Sequence, residues 1–297
     1  MKGSKLTNIL IGFSALFILN SSLADYIASP CPKLFILPQW GPVATVGGML
    51  STTTLKDQEQ NAFKFVYGNF LVPVMQDDNS MVYIDGRQTV ESDCCNFITN
   101  LGGGYRRIIN NSYILGGYAF FDYQRTGENN NFYQGQLGGE YISPTWQARI
   151  NGYVPVGDRN QPTTLGPNVN DGNQPIIFPG SLAVIEYPFS EHVEAGGDIQ
   201  VGSLLPVAPS IFPFVGYYHF GFGQDQDLAI NGGRAGIEYT YNRWLTLFGG
   251  DQYDNLRKNT VLIGANVTLW GGARANYSTN PLDSLMEQSP YGFTGLY

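Results

Sequence analysis

The chain has 297 residues, 43% of them hydrophobic but only 13% charged, against about 25% charged in an average soluble domain. With 37 Gly, 19 Tyr and 18 Phe and apolar residues mostly scattered singly, this composition excludes a coiled coil, a disordered chain and a helical bundle. A helical membrane protein needs several apolar stretches of about 20 residues, and the one candidate, Leu6 to Leu19, is too short to span.

That first stretch has another reading. Lys2 and Lys5 precede an apolar run from Ile9 to Leu19, and Ser22, Leu23 and Ala24 supply small residues where a signal peptidase cuts, so residues 1–24 are expected to be a removable secretory signal. Its loss leaves 14 basic against 24 acidic residues, a balance that disfavours a nucleic-acid partner. Cys31, Cys94 and Cys95 are too few for a disulfide scaffold and have no His at metal-ligand spacing. Residues 25–40 then form a periplasmic N-terminal segment.

From residue 41 the chain alternates. In FYQGQLGGEY, residues 132–141, Tyr133, Gly135, Leu137, Gly139 and Tyr141 share one face while Gln134, Gln136, Gly138 and Glu140 share the other. This is the period of a β-strand. Trp146, Ala148, Ile150, Gly152, Val154 and Val156 likewise oppose Gln147, Arg149, Asn151 and Tyr153, and Ser143 and Pro144 join the two strands as a tight hairpin. Residues 232–241 repeat the split, with Ala235, Ile237, Tyr239 and Tyr241 against Arg234, Gly236, Glu238 and Thr240.

Read this way, the chain predicts twelve strands, near 41–52, 66–75, 80–89, 96–107, 112–123, 131–142, 145–156, 193–202, 211–221, 232–241, 244–252 and 260–270. Every second connection is short, with one exception of eight residues. A soluble sandwich has no reason for that, whereas an outer-membrane barrel has short periplasmic turns, long external loops and an even strand count. The expected fold is therefore all-β, a transmembrane antiparallel β-barrel over residues 41–270 with its apolar face toward lipid. Closure pairs every backbone group inside the hydrocarbon, and Trp146, Tyr241, Trp244 and Trp270 suit interfacial girdles. Parity makes residues 157–192 external, with SLAVIEYPF forming a hairpin that projects beyond the membrane.

Leu101 to Val156 contains LGGGYRR, SYILGGYAFFDYQ, QLGGEY and WQARINGYVPV in that order, and this series resembles the β-domain of inverse autotransporters, the intimin and invasin family. The matching positions are Gly104, Tyr105 and Arg106; Phe120, Phe121, Asp122 and Tyr123; Gly138, Gly139 and Glu140; and Asn151, Gly152 and Tyr153. Two departures from the family pattern stand in the lumen-facing set: Tyr118 replaces an Asn, and Gln134 an Arg. The resemblance implies a barrel that translocates and anchors a surface adhesin, with the passenger absent here. It also implies that residues 271–297 are a linker-like tail entering the lumen. Outer-membrane lipid, the barrel-assembly machinery and periplasmic chaperones are the partners it implies. No host receptor is named by the sequence.

Arg106, Asp122, Glu140, Arg149, Glu194, Asp198, Arg234 and Glu238 face the lumen by the alternation. They are either a selectivity or gating set or, the preferred reading, charges that neutralise each other in a narrow barrel and stiffen it, because crowded charges need partners. A twelve-stranded barrel can also be an enzyme, as outer-membrane phospholipase is. The histidines are His192 and His219; with Phe214, Gly216, Tyr218 and Phe220 read as outward, His219 faces inward, and Ser190 is too close in sequence to His192 to signal a nucleophile. No enzymatic role, cofactor or metal is expected. A porin-like channel is the alternative function.

Overall fold

The computed structural model describes residues 40–54, 61–91, 96–164, 182–187, 189–221, 229–242, 244–256, 258–270 and 282. The expected signal segment, the three cysteines and almost all of the tail lie outside the described residues.

Fifteen strands follow one another: β1 Val43–Thr54, β2 Asn61–Gln76, β3 Ser80–Glu91, β4 Phe97–Ile109, β5 Tyr113–Arg125, β6 Asn131–Ile142, β7 Trp146–Val156, β8 Asn160–Pro162, β9 Ala183–Tyr187, β10 Ser190–Glu194, β11 Gly196–Ser203, β12 Ile211–Phe220, β13 Ile230–Asn242, β14 Leu245–Asp254 and β15 Lys258–Trp270. Twelve of them close into a barrel. Each wall strand pairs antiparallel with its neighbour, β7 pairs directly with β11, and β1 pairs with β15 to shut the ring. All twelve wall strands overlap those expected from the alternation. We call the end with the tight turns at 110–112 and 143–145 the turn end, and the other the loop end.

The register explains the glycine content. Several inward aromatic rings lie over a neighbour without a side chain. Tyr67 faces Gly47, Tyr83 faces Gly104, Phe120 faces Gly102, Tyr118 faces Gly138, Tyr218 faces Gly232 and Phe248 faces Gly264 directly across the ladder. In every pair a Cβ added to the glycine would overlap the opposing ring. Rings thus fill space between strands that would otherwise be left open in a narrow barrel.

The inner face of β6 summarises the lumen. It runs Phe132, Gln134, Gln136, Gly138, Glu140, Ile142, apolar at both ends and polar between. At the turn end Ile142 joins Trp40, Met81, Ile108, Ile114 and Phe212 in a buried cluster. Trp40 is tied to the wall there by Gln76, whose Oε1 accepts from its N–H at 2.9 Å.

Three expectations need correction. First, β12 has the opposite phase: Phe214, Tyr218 and Phe220 are buried and point inward, while Val215 and Tyr217 are exposed outward. His219 follows them out, its Nδ1 2.6 Å from Asn231 Oδ1 on the exposed side. IFPFVGYYHF is apolar on both faces, so polarity could not set its phase. Second, the wall strand expected at 193–202 begins at Gly196, and Glu194 belongs to β10. Third, the expected hairpin within SLAVIEYPF is instead made by β9 pairing with β10, which follows that segment, and it does not stand free. Leu182, Ala183, Val184 and Ile185 are buried. β8, β10 and β9 make a separate three-stranded sheet that packs on inward wall residues at the loop end.

Candidate functional site

Two groups of paired charges stand out among the described lumen residues. In the first, Arg106 on β4 grips Glu140 on β6 with two bonds, Nε to Oε1 at 2.6 Å and Nη2 to Oε2 at 3.0 Å. Its guanidinium carbon also lies 4.9 Å from the ring centre of Tyr83, a cation–π geometry. Arg149 on β7 approaches the same carboxylate, Nε to Oε2 at 3.5 Å. One acid thus serves two bases, all three buried. A bidentate pair is the geometry that compensates desolvated charge best.

In the second group Asp198 on β11 accepts from Arg234 Nη2 at 2.9 Å, from Asn151 Nδ2 at 3.2 Å and from the Tyr153 hydroxyl. Asn151 continues the chain, its Oδ1 accepting from Tyr118 at 2.8 Å and from Gln136 at 2.9 Å. Asp122 lies apart and accepts from Asn100 Nδ2 at 2.8 Å and Gln134 Nε2 at 3.1 Å. Glu238 is buried beside Arg149 and Tyr67.

Of the eight residues named from the sequence, the structure therefore brings Arg106, Glu140 and Arg149 together in one group and Asp198 and Arg234 in another. Asp122 takes amide donors from Asn100 and Gln134. Glu194 sits in β10, with His192 Nε2 3.2 Å from its Oε1. There burial pushes the Glu194 carboxyl up and the nearby Arg159 guanidinium opposes it, while burial and then Arg159 both hold His192 down.

Tyr118 and Gln134, the two departures from the family pattern, both have partners in these groups. Tyr118 reaches Asn151 across Gly138, and Gln134 supplies an amide to Asp122. Sequence reading had no role for Tyr67, Tyr83, Tyr118 or Tyr218, whose hydroxyls or rings contact Asn266, Arg106, Asn151 and Asp254. Their signal was available as an aromatic opposite an inward glycine.

The outer face matches a bilayer. Near the loop end of β4 to β6, Phe97, Tyr123, Tyr133 and Phe121 contact one another. Near the turn end Tyr113, Tyr141 and Trp146 stack at 5.0 and 4.3 Å between ring centres. Tyr133 and Tyr141 lie on one strand, about 26 Å apart along it at about 3.3 Å per residue, which a tilt of about 40° reduces to about 20 Å across the bilayer, within the apolar band of about 25 Å in such barrels. Between them the outward face presents Leu137 and, on β7, Ile150, 71% and 60% exposed.

Among solved structures the chain is similar to one from a study of the in-meso crystallization of membrane proteins, at 18% identity over 82% of this chain and 92% of that chain, with a TM-score of 0.57. It also aligns with an outer membrane channel from Pseudomonas putida F1 (13% identity, 81% and 100% covered, TM-score 0.47). A third alignment is with the translocator domain of the autotransporter NalP from Neisseria meningitidis (10%, 88% and 97%, 0.38). No curated protein matches. The family model described as inverse autotransporter, beta-domain matches residues 45–267. That span runs from β1 to β15, so this outer-membrane β-barrel belongs to the inverse autotransporter β-domain family.

Proposed function

We propose that the barrel anchors and exports a polypeptide segment of its own chain, with the residues after Trp270 entering the lumen from a periplasmic turn end. Leu282 carries this reading. It lies twelve residues past β15, is 1% exposed and belongs to the same buried cluster as the inward wall residues Ile142, Tyr67 and Phe248. Tyr297 lies fifteen residues further on, and at about 3.3 Å each an extended run of that length exceeds the roughly 30 Å hydrocarbon layer.

The buried charges stiffen the wall in this reading instead of selecting a solute, because each pair or amide contact joins different strands. An open porin-like channel fits less well, since apolar side chains fill both ends of the described lumen. No catalytic role is assigned: His192 contacts Glu194, and His219 lies on the outer side. Lipid contacts the aromatic girdles, and insertion relies on periplasmic chaperones and the barrel-assembly machinery.

An epitope fused after Tyr297 tests the reading. Antibody should bind it on intact cells. Binding only after permeabilisation would overturn both the orientation and the export path.

A further inference from the structure

The loop end of the lumen is covered by the chain itself. Ala183 and Ile185 of β9 pack against Tyr153, Tyr218, Phe220 and Ile230 of the wall, and Leu182 and Val184 pack against Phe132 and Val193. Ala183, Val184 and Ile185 are buried on both faces of β9, which is why they are apolar at consecutive positions.

This cover is fastened differently from the wall. β8, β9 and β10 pair with each other and with no wall strand. Lifting them would break no rung of the barrel ladder. A carboxylate ties the sheet to the connection between β5 and β6. Glu191, 0% exposed, accepts at Oε2 from Thr126 Oγ1 at 2.7 Å and from Asn130 Nδ2 at 2.8 Å. Asn130 also donates to Pro162 O at 3.1 Å, and Thr164 Oγ1 to Glu128 Oε2 at 2.9 Å. On the β7 side the sheet is preceded by Gly157, whose φ of 83° and open surroundings suit a hinge.

We propose that the β8–β10–β9 sheet is a lid over the loop end of the lumen, latched by Glu191 to Thr126 and Asn130. It opens as a unit while the barrel stays closed. The inference adds a gate to the export reading but stands whichever way the barrel faces.

Cysteine accessibility in the purified, folded full chain separates the two. In a background carrying Cys31→Ser, Cys94→Ser and Cys95→Ser, Ala183→Cys places a thiol under the lid, and Val207→Cys, at a 93% exposed position, is the open reference. A soluble maleimide should modify residue 183 far more slowly than residue 207. Adding Glu191→Ala should speed modification at 183 by about tenfold or more, since two hydrogen bonds to a buried carboxylate are lost. Glu191→Gln retains an acceptor oxygen and should stay near the parent rate. Ile230→Cys, on the floor beneath the lid, should respond in parallel. Should Glu191→Ala fail the heat-shift test of barrel folding, Thr126→Ala with Asn130→Ala removes the same bonds from the other partner. Equal rates at 183 with and without the latch, or a parent rate matching residue 207, would overturn the lid. Because no membrane is present, neither result depends on where the C-terminus emerges.

Discussion

Tyr118 and Gly138 face each other in register across β5 and β6, and the phenol ring fills the space where a Cβ on Gly138 would stand. The same ring delivers its hydroxyl to Asn151 on β7, so a missing side chain on one strand lets a second reach a third. Gly138→Ala should displace the ring, break that bond and cost about 1–3 kcal/mol by overpacking. Gly139→Ala is the control: its nearest neighbours are 3.7 Å away or more and it points to lipid. Urea unfolding of the barrel in bilayers should separate the two, and equal stability would remove the packing argument.

The Arg106–Glu140 pair should behave as a unit. Glu140→Ala takes the carboxylate from a fully buried guanidinium and from Arg149 beside it, a loss of about 3–5 kcal/mol. Arg106→Met combined with Glu140→Gln removes the charge pair yet leaves Arg149 an acceptor, and should be milder than Glu140→Ala alone. A double variant no more stable than Glu140→Ala would contradict the coupling.

What the sequence made legible follows from where polarity alternates. Residues 132–141, 146–156 and 232–241 place Gln, Arg, Asn and Glu on one face only, so both strand and phase could be read, and the inward charges with them. β12 could not be phased, because the lumen accepts Phe214, Tyr218 and Phe220 wherever a glycine opposes them. That pairing depends on register across strands, which alternation within one strand does not reveal. The lid was hidden for a related reason. A strand buried on both faces has no alternation, so β9 resembled an ordinary loop hairpin, and Glu194 was assigned to the wall with the strand that follows it.

The turn between β2 and β3 should be sensitive to acid. Asp77 accepts from the N–H groups of Asn79 and Ser80 at 2.9 and 2.7 Å and from the Ser80 hydroxyl, and the bond from Asn79, foremost, holds its carboxyl below the usual range. A depressed carboxyl favours the folded turn above its unfolded value, and that contribution is lost as pH falls through the folded one. Amide exchange at Asn79 and Ser80, corrected for intrinsic rates, should therefore lose protection in acid. Asp77→Ala should show the lowered protection at neutral pH; unchanged protection there would mean the backbone alone holds the turn.

Charge placed on the lipid face should cost according to depth. Leu137 lies midway along β6 between the aromatic groups of Tyr133 and Tyr141, with no described side chain covering it, so Leu137→Arg sets a guanidinium near the bilayer centre at about 2–4 kcal/mol. Tyr133→Arg, at the girdle, lets the charge reach the headgroups and should cost about 0–1 kcal/mol beyond the lost ring contacts. Folding into vesicles followed by urea titration measures both. In detergent micelles, which offer no fixed midplane, the difference should shrink. If Leu137→Arg were as well tolerated as Tyr133→Arg in vesicles, the belt between the two aromatic groups would not be the membrane-spanning surface.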